Sequence, residues 1–318
     1  MSRSGMVALV GRPNVGKSTL MNSLVGEKVS IITPMAQTTR NQIRGIQNHE
    51  KGQVVYLDTP GIHRARKQLN RYMVDVAFQA LEGVDVIFYL IDATRPDPAI
   101  HKLPTTGKLP RQVENEEDSF ILERLRKLNK PTFLVINKID LIKHKEVLLP
   151  LIESYSAQAN FKEVVPISAT EEEGLDLLCE RTFECLPEAP PLFPPEYSTD
   201  QAERFLVSEM VREKVILLTR KEIPHSCAVV VEEFDESERE FEREDRGLVR
   251  IQATVFVERD SQKGILIGKR GAMLKEIGSQ ARKDIEGLLG SKVYLKLWVK
   301  VAKNWSKDQR ALRRMGYS

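Results

Sequence analysis

Hydrophobic residues fall along this chain in short unbroken runs, separated by polar stretches rich in charged and turn-forming residues. Met6–Val10, Val54–Leu57, Val86–Ile91, Pro131–Ile136 and Val164–Ile167 are four to six residues long and lack internal polar alternation. Runs of that kind predict strands covered on both faces, as in a parallel sheet. Helical stretches are expected between them, one starting near Lys17 and another around Phe120 to Leu128. The polar segment from Arg95 to Asp118 precedes that second helix and is long for a structureless connection, so disorder is expected there, with a lineage-specific contact as the alternative. This alternation predicts an α/β fold with a doubly wound, mostly parallel sheet.

The pattern changes after Leu186. Five prolines in the ten residues Leu186–Pro195 exclude a helix interior and favour a stiff extended connector. Thr199-Asp200 then offers a helix cap, and Gln201 to Thr219 carries a broad apolar helical stripe through Phe205, Leu206, Met210, Val211, Val215, Leu217 and Leu218. Cys227–Val231 and Val249–Val257 read as strands, and the acidic stretch from Glu232 to Asp245 reads as a solvated turn between them. A helix over Ala272 to Leu289 and a strand over Lys292 to Val301 complete the pattern. The expected organisation is therefore a first domain over residues 1–186, a linker over 187–198 and a second, α+β domain over 199–318.

Chemistry enters at the end of the first run. Gly11-Arg12-Pro13-Asn14-Val15-Gly16-Lys17-Ser18, followed by Thr19, is a complete G-x-x-x-x-G-K-S phosphate loop set between a strand and a helix. Its glycines let backbone N–H groups turn inward around phosphates, Lys17 reaches the β- and γ-phosphates, and the Ser18 hydroxyl suits Mg²⁺. The run ending at Ile136 leads into Asn137-Lys138-Ile139-Asp140. In a doubly wound sheet these residues sit at the carboxyl ends of the strands, where nucleotide binds. The Asp140 carboxylate can accept both the ring N–H and the exocyclic amino group of guanine, a donor pair adenine lacks, so GTP and GDP are the expected ligands. Asn137 can tie this loop to the phosphate loop, and the Lys138 stem can cover the base. Asp58-Thr59-Pro60-Gly61 follows Val54–Leu57, with Asp58 placed to hold Mg²⁺ through water and the Gly61 amide placed to reach the γ-phosphate. Thr39 is favoured over Thr38 as the remaining Mg²⁺ ligand. Ser168-Ala169-Thr170 would meet the guanine carbonyl. Lys17, Thr39 and Gly61 are the expected catalytic groups.

These segments resemble the translation-factor-like class of small GTPases. At Ile62, Ras-like relatives carry a glutamine that orients the attacking water, and isoleucine has no atom for that task, so slow unaided hydrolysis is expected. Asn14 matches an asparagine that, in relatives with a hydrophobic residue there, helps hold K⁺ beside the phosphates; an ordinary loop-stabilising role is the alternative.

Composition and charge add the second half of the picture. At 318 residues, 41% hydrophobic and 29% charged, the chain is long enough for two soluble domains of about 150 residues each. No apolar run approaches the roughly 20 residues of a membrane span. The first strand is expected almost at the first residue, and no secretory signal is expected before it. Cys179, Cys185 and Cys227 have no metal or redox spacing, which suits free thiols in a reducing cytoplasm. The net charge of +3 conceals an asymmetry: residues 260–318 hold 14 Lys and Arg against 5 Asp and Glu, a net +9, which leaves −6 on the rest. A basic block of that kind points to a polyanion, either nucleic acid or an anionic membrane. Trp298 and Trp305 offer interfacial anchors for the membrane case, although Trp298 lies in a predicted strand and suits a core position.

Within the basic block, Gly264–Gly271 ends in Gly268-Lys269-Arg270-Gly271. In KH domains a G-x-x-G loop between helices clamps about four nucleotides of backbone. The order helix, strand, strand, helix, G-x-x-G, helix, strand resembles the type II KH domain. A P-loop GTPase domain followed by such a domain resembles the Era family of bacterial ribosome-associated GTPases over nearly the whole chain, including Gln37-Thr38-Thr39-Arg40 and the ending Arg310–Tyr317. The resemblance implies binding to the 3′ end of small-subunit (16S) ribosomal RNA and action in 30S subunit assembly. It also implies a cytoplasmic location with some peripheral inner-membrane association, and no role for DNA.

Overall fold

The structure, a computed structural model, describes residues 2–62, 68–94, 116–219, 223–239 and 247–317. Most of the polar connector from Arg95 to Asp118 and part of the acidic stretch after Glu232 lie outside the described residues. The chain divides into two compact units. Met1–Ser30, Thr39–Arg66 and Arg71–Asp200 form the first; Ile31–Thr38, Lys67–Asn70 and Gln201–Ser318 form the second.

The first unit is built on a six-stranded sheet from β1 (Arg3–Gly11), β2 (Ile43–His49), β3 (Gly52–Asp58), β4 (Val86–Asp92), β5 (Thr132–Asn137) and β6 (Glu163–Pro166). The order is β2-β3-β1-β4-β5-β6, and every pairing is parallel except β2 with β3. All residues of β4 and β5 are buried, which is why those segments read as unbroken apolar runs. One sheet face carries Val10, Val55, Ile87, Tyr89, Leu134 and Ile136. Apolar residues of α2 (Gln68–Gln79), α3 (Glu116–Leu125) and α4 (Leu148–Ser156) pack in the same cluster. The other face carries Tyr56, Phe88 and Phe133, with ring centroids 6.2 Å and 5.6 Å apart along the row. The remaining helices are α1 (Lys17–Val25) and α5 (Leu175–Cys185). Parallel register brings the ends of β1, β4 and β5 level, with Gly11 opposite Leu90 and Asp92 opposite Asn137. The residues that follow those strands therefore meet at one end of the sheet.

The proline-rich segment is extended, as its composition predicts, and it is fastened to the first unit. The Ser4 N–H donates to the Pro187 carbonyl and the Ala189 N–H to that of Ser2. The fully buried Gln53 side chain accepts from the N–H groups of Leu192 and Phe193 and donates to the Phe193 carbonyl. Thr199 and Asp200 do not cap the next helix. Thr199 donates to the Arg44 carbonyl at 2.6 Å, Asp200 pairs with Arg44, and Ala202 occupies the cap position without a side-chain bond.

The second unit contains α6 (Glu203–Leu218), the short α7 (Ile223–Ser226), β7 (Ala228–Arg239), β8 (Gly247–Val257), α8 (Asp260–Ile267), α9 (Ala272–Leu289), β9 (Lys292–Val301) and the short α10 (Gln309–Arg314). The sheet order is β7-β8-β9, with β8 antiparallel to β7 and parallel to β9. Val249, Ile251, Ala253 and Val255 of β8 pack with Val211 and Val215 of α6 and Ile277, Ala281 and Ile285 of α9. The acidic stretch expected as a turn is largely strand: β7 runs through Glu232 to Arg239, with register shifts between Val231 and Glu233 and between Asp235 and Glu238. A strand with one solvated face needs apolar residues only on the other, and its backbone pairs regardless of side-chain charge. Trp305 is fully buried, donating to the Ser226 carbonyl at 3.0 Å and stacking on Tyr317, whereas Trp298 is 46% exposed. Trp305 is therefore no membrane anchor, and Trp298 is no core residue.

Ile31–Thr38 and Lys67–Asn70, which lie before Thr39 and after Asp58–Gly61 in the chain, also belong to this unit. Within it the fully buried Arg212, ion-paired to Glu209, donates to the Thr38 carbonyl, and Glu213 accepts the Ile32 N–H at 3.1 Å.

Candidate functional site: a nucleotide pocket and a nucleic-acid loop

The Gly11–Ser18 loop leaves β1 and enters α1 through two glycine conformations that a side chain would strain, Gly11 at φ 155° and Gly16 at φ 99°. A Cβ on Gly16 would stand 2.2 Å from Asn137 Nδ2, and one on Gly11 would meet the Leu90 carbonyl at 2.4 Å. Asn14, also at positive φ (64°), forms the crest, while Val15 is buried. Lys17 is 6% exposed and donates to the carbonyls of Gly11 (3.2 Å) and Arg12 (3.0 Å). Burial lowers its pKa to about 8, with the Asp58 carboxylate opposing the shift. An anion beside Lys17 relieves that penalty, which is what a chain of phosphates supplies.

Four oxygen-bearing side chains, one carboxylate and three hydroxyls, converge near Lys17. Asp58 Oδ2 accepts from Ser18 Oγ (2.6 Å), Ser30 Oγ (2.9 Å) and Thr39 Oγ1 (3.2 Å), and Ser18 Oγ lies 3.0 Å from Thr39 Oγ1. Burial raises the Asp58 pKa, and Lys17 and the three hydroxyls only partly offset it. Its second oxygen, Oδ1, is inaccessible and has no hydrogen-bond partner. A buried, underused carboxylate oxygen beside two hydroxyls fits Mg²⁺, a hard cation that takes oxygen ligands. Ser18 and Thr39 would hold the ion directly and Asp58 through water; bound there, it neutralises charge on the β- and γ-phosphate oxygens. Thr38 takes no part in this cluster: its hydroxyl bonds Thr33 Oγ1 and the Met35 carbonyl.

Gly61 lies so close to the phosphate loop that a Cβ there would stand 2.7 Å from Pro13 Cα. Thr59 and Ile62, expected beside the nucleotide, turn their side chains away. Thr59 Oγ1 donates to the Leu9 carbonyl at 2.7 Å, and Ile62 is fully buried in the apolar core while its N–H donates to the Gly11 carbonyl. The position thus offers an attacking water no side chain at all.

The base-reading segments are tied together through Asn137. Its Nδ2 donates to the Val15 carbonyl (2.9 Å), and its Oδ1 accepts the N–H groups of Lys138 (2.8 Å) and Ala169 (3.0 Å). One amide so joins the phosphate loop to both loops expected to face guanine. Lys138, at φ 69°, directs Nζ to the Asn14 carbonyl (2.7 Å) and to Asp92 Oδ2 (2.6 Å). Ile139 is buried and its N–H donates to the Ile167 carbonyl, which leaves Asp140 exposed on the following turn. The Ala169 carbonyl accepts from Ser23, and Ser168 and Thr170 face each other at 3.2 Å. Thr19 adds its carbonyl as an acceptor for Ser23 in the first turns of α1.

Two supporting carboxylates had no part in the motif reading. Asp92 ends β4 beside Asn137, a place that the end of an apolar run in a doubly wound sheet could have flagged. In the sequence Asp118 belongs to the polar connector, yet it sits 1% exposed in the first turn of α3. It accepts the hydroxyls of Tyr89 (2.7 Å) and Tyr155 (3.0 Å) and pairs with Arg12 Nε at 3.2 Å. Burial, then the Asp118 charge, drives the Tyr89 pKa far up, so that phenol stays a donor. Asp118 so anchors the second residue of the phosphate loop.

In the second unit, Gly268-Lys269-Arg270-Gly271 forms a tight turn between α8 and α9, with φ 69° at Gly268, 54° at Arg270 and 80° at Gly271. A Cβ on Gly268 would collide with Met273 at 2.8 Å, whereas nothing lies within 4 Å of the Gly271 position. Lys269 and Arg270 are exposed. Beside the loop, Gly271, Lys275, Gly278 and Arg282 face Leu295 and Leu297 across an open groove of about 450 Å³. Lys275 and Arg282 add charge that the motif reading missed; their seven-residue spacing along α9, with Gly278 between, was the available sign.

Comparison with known proteins agrees with both halves. A family model described as 50S ribosome-binding GTPase matches residues 6–138, and a KH domain model matches residues 222–306. GTPase Era of Geobacter metallireducens is 48% identical over 316 residues, which is 99% of this chain and 98% of that protein. GTPase Era of Lacticaseibacillus paracasei is 45% identical, covering 99% and 97%. A solved structure of Era in complex with MgGDPNP and nucleotides 1506–1542 of 16S ribosomal RNA superposes with a TM-score of 0.89 at 41% identity, covering 100% of both chains. An Aquifex aeolicus Era variant bound to GDP·AlF4⁻ gives 0.88 at 41% identity over 99% of each chain. With the enclosed GTP pocket and the exposed G-x-x-G turn in one polypeptide, these matches settle the lineage: the chain belongs to the Era family of GTPases.

Proposed function

We propose that this GTPase uses its nucleotide state to time the grip of its KH domain on the 3′ end of small-subunit ribosomal RNA during 30S subunit assembly in the cytoplasm. The observation that carries the reading is the match, over the full length of both chains, to an Era structure holding MgGDPNP and a 16S RNA segment. The small-subunit assignment rests on that match and not on the broader GTPase family model, whose description names the 50S particle. The exposed Gly268–Gly271 turn supports the contact chemically, since phosphates can approach its glycine backbone while Lys269 and Arg270 supply charge. Lys17, Thr39 and Gly61 are the groups assigned to the hydrolytic centre.

The timing has a physical basis in two successive residues. The Thr39 hydroxyl lies in the cluster that would hold Mg²⁺, while Thr38, the residue before it in the chain, belongs to the second unit, where its carbonyl accepts from Arg212. Loss of the γ-phosphate pulls on one end of a single peptide unit and is felt at the other. With Ile62 buried in the core, unaided turnover is slow, and ribosomal subunits or K⁺ near Asn14 accelerate it. Comparing hydrolysis in potassium and sodium buffers checks the ion. The RNA reading is tested with the full chain and a short single-stranded RNA copying the 16S 3′ end, against a scrambled strand at fixed salt. Preference for the native sequence supports it, and equal binding overturns it.

A further inference from the structure

Strand β9 presents two different surfaces. Its odd-numbered residues Val293, Leu295, Leu297 and Val299 join the core cluster that includes α9. Its even-numbered residues, Lys292, Tyr294, Lys296, Trp298 and Lys300, are all exposed on the other face. Tyr294 is 57% and Trp298 46% exposed, and Lys296 Nζ stands 4.8 Å from the Trp298 ring. The sequence of side chains along this track is therefore base, aromatic, base, aromatic, base. At about 6.8 Å per two residues the two aromatic positions are about 14 Å apart along the strand, with a lysine between them.

The charge across the sheet is polarised. Glu232, Glu233 and Glu238 of β7 lie on this same face, since Glu232 accepts from Thr254 and Lys300, Glu233 from Gln252, and Glu238 pairs with Arg250. The basic, aromatic track is thus one strand wide, with the carboxylates of β7 on the far side of β8 and Glu232 reaching Lys300 at its end. A flat anionic bilayer would press lipid phosphates onto those carboxylates as well as onto the lysines. A single polynucleotide strand can follow the track alone, with its phosphates on lysines and its bases on rings. The track is also continuous with the groove beside the G-x-x-G turn, because Lys296 lines that groove too.

We propose that Tyr294 and Trp298 form a base-stacking platform for single-stranded RNA, with Lys296 on the intervening phosphate, extending the G-x-x-G site along the outer face of β9. The proposal rests on the RNA reading above and lengthens the strand that this reading accounts for. The full-length protein is titrated at fixed salt with single-stranded RNAs of about four and about twelve nucleotides, the shorter matched to the G-x-x-G clamp. Trp298→Ala and Tyr294→Ala should each weaken binding of the longer RNA about tenfold, leave the shorter unchanged, and keep the wild-type thermal midpoint; Trp298→Phe should restore most of the affinity. RNA should quench the exposed Trp298, and that quenching should vanish in Trp298→Phe, which retains only the buried Trp305. Unchanged affinity of both alanine variants for the longer RNA overturns the platform. Binding of phosphatidylglycerol vesicles that Trp298→Ala abolishes, with RNA affinity intact, overturns it in favour of a membrane contact. Failure of the RNA reading itself is distinguishable, because then Lys269→Ala with Arg270→Ala would leave binding of both RNA lengths unchanged.

Discussion

The chain contains two glycine-flanked basic turns that each lead into a helix, and they are built in opposite ways. The Gly11–Ser18 loop is enclosed: Lys17 is 6% exposed and hydrogen-bonded to two backbone carbonyls, and the space above Gly16 is filled by Asn137. The Gly268–Gly271 loop is open: Lys269 and Arg270 are exposed, and nothing stands within 4 Å of the Gly271 position. Enclosure makes each donor and acceptor matter, because an unmatched buried polar group costs free energy that water cannot return. An open turn works mainly through charge, which is less selective and falls with salt. The first loop suits recognition of one small molecule, and the second suits a handhold on a polymer.

The comparison breaks most sharply at Lys17. Lys17→Ala should weaken GTP binding more than about a hundredfold in a fluorescent-nucleotide titration, because the phosphates lose a buried cation. Asp140→Asn should weaken GTP about as strongly and improve the affinity for xanthosine triphosphate, whose carbonyl matches the new amide donor. In the open loop, Lys269→Ala should cost RNA affinity almost uniformly across sequences and flatten the slope of log K against log salt by about 0.7 per lost phosphate contact. Asp118→Asn keeps the shape of the buried network but removes the charge facing Arg12. It should raise the KM for GTP about fivefold with little change in kcat.

A smaller effect follows from the lowered pKa of Lys17. Below about pH 8 the ammonium is charged and attracts the phosphates. Above it the folded, nucleotide-free protein releases a proton that GTP binding must restore, so the affinity for GTP should decline as pH rises through 8. The same shift affects stability with the opposite sign. Between about 8 and the ordinary lysine value of 10.5 the unfolded chain holds more protons, so the nucleotide-free protein gains stability as pH rises through that window. A calorimetric titration from about pH 7 to about pH 9 checks the affinity.

Much of the enclosed site could be read from the chain because its chemistry is local. Strand, glycine turn and helix are adjacent in sequence, and the parallel register then carries Asn137 and Asp58 to the same sheet end. What escaped reading was non-local or masked by composition. Asp118 sits in a run of acidic residues that looks solvated, and only the folded protein brings Tyr89, Tyr155 and Arg12 around it. Gln53 is one polar residue in an apolar strand, and its partners lie about 140 positions away in the proline-rich segment. The outward turn of Trp298 depends on strand register, since a shift of one residue would have buried it. Glu232 to Arg239 reads as a loop because exposed charge outweighs strand propensity in the sequence, while pairing with β8 decides the structure.

The most direct test of a nucleotide-timed RNA grip is the affinity of the full chain for 16S 3′-end RNA at one salt concentration, measured without nucleotide, with GDP, and with a non-hydrolysable GTP analogue. The account predicts the tightest binding with the analogue and weaker binding in the other two states. Identical affinities in all three would contradict it, leaving an RNA-binding GTPase whose two sites do not communicate.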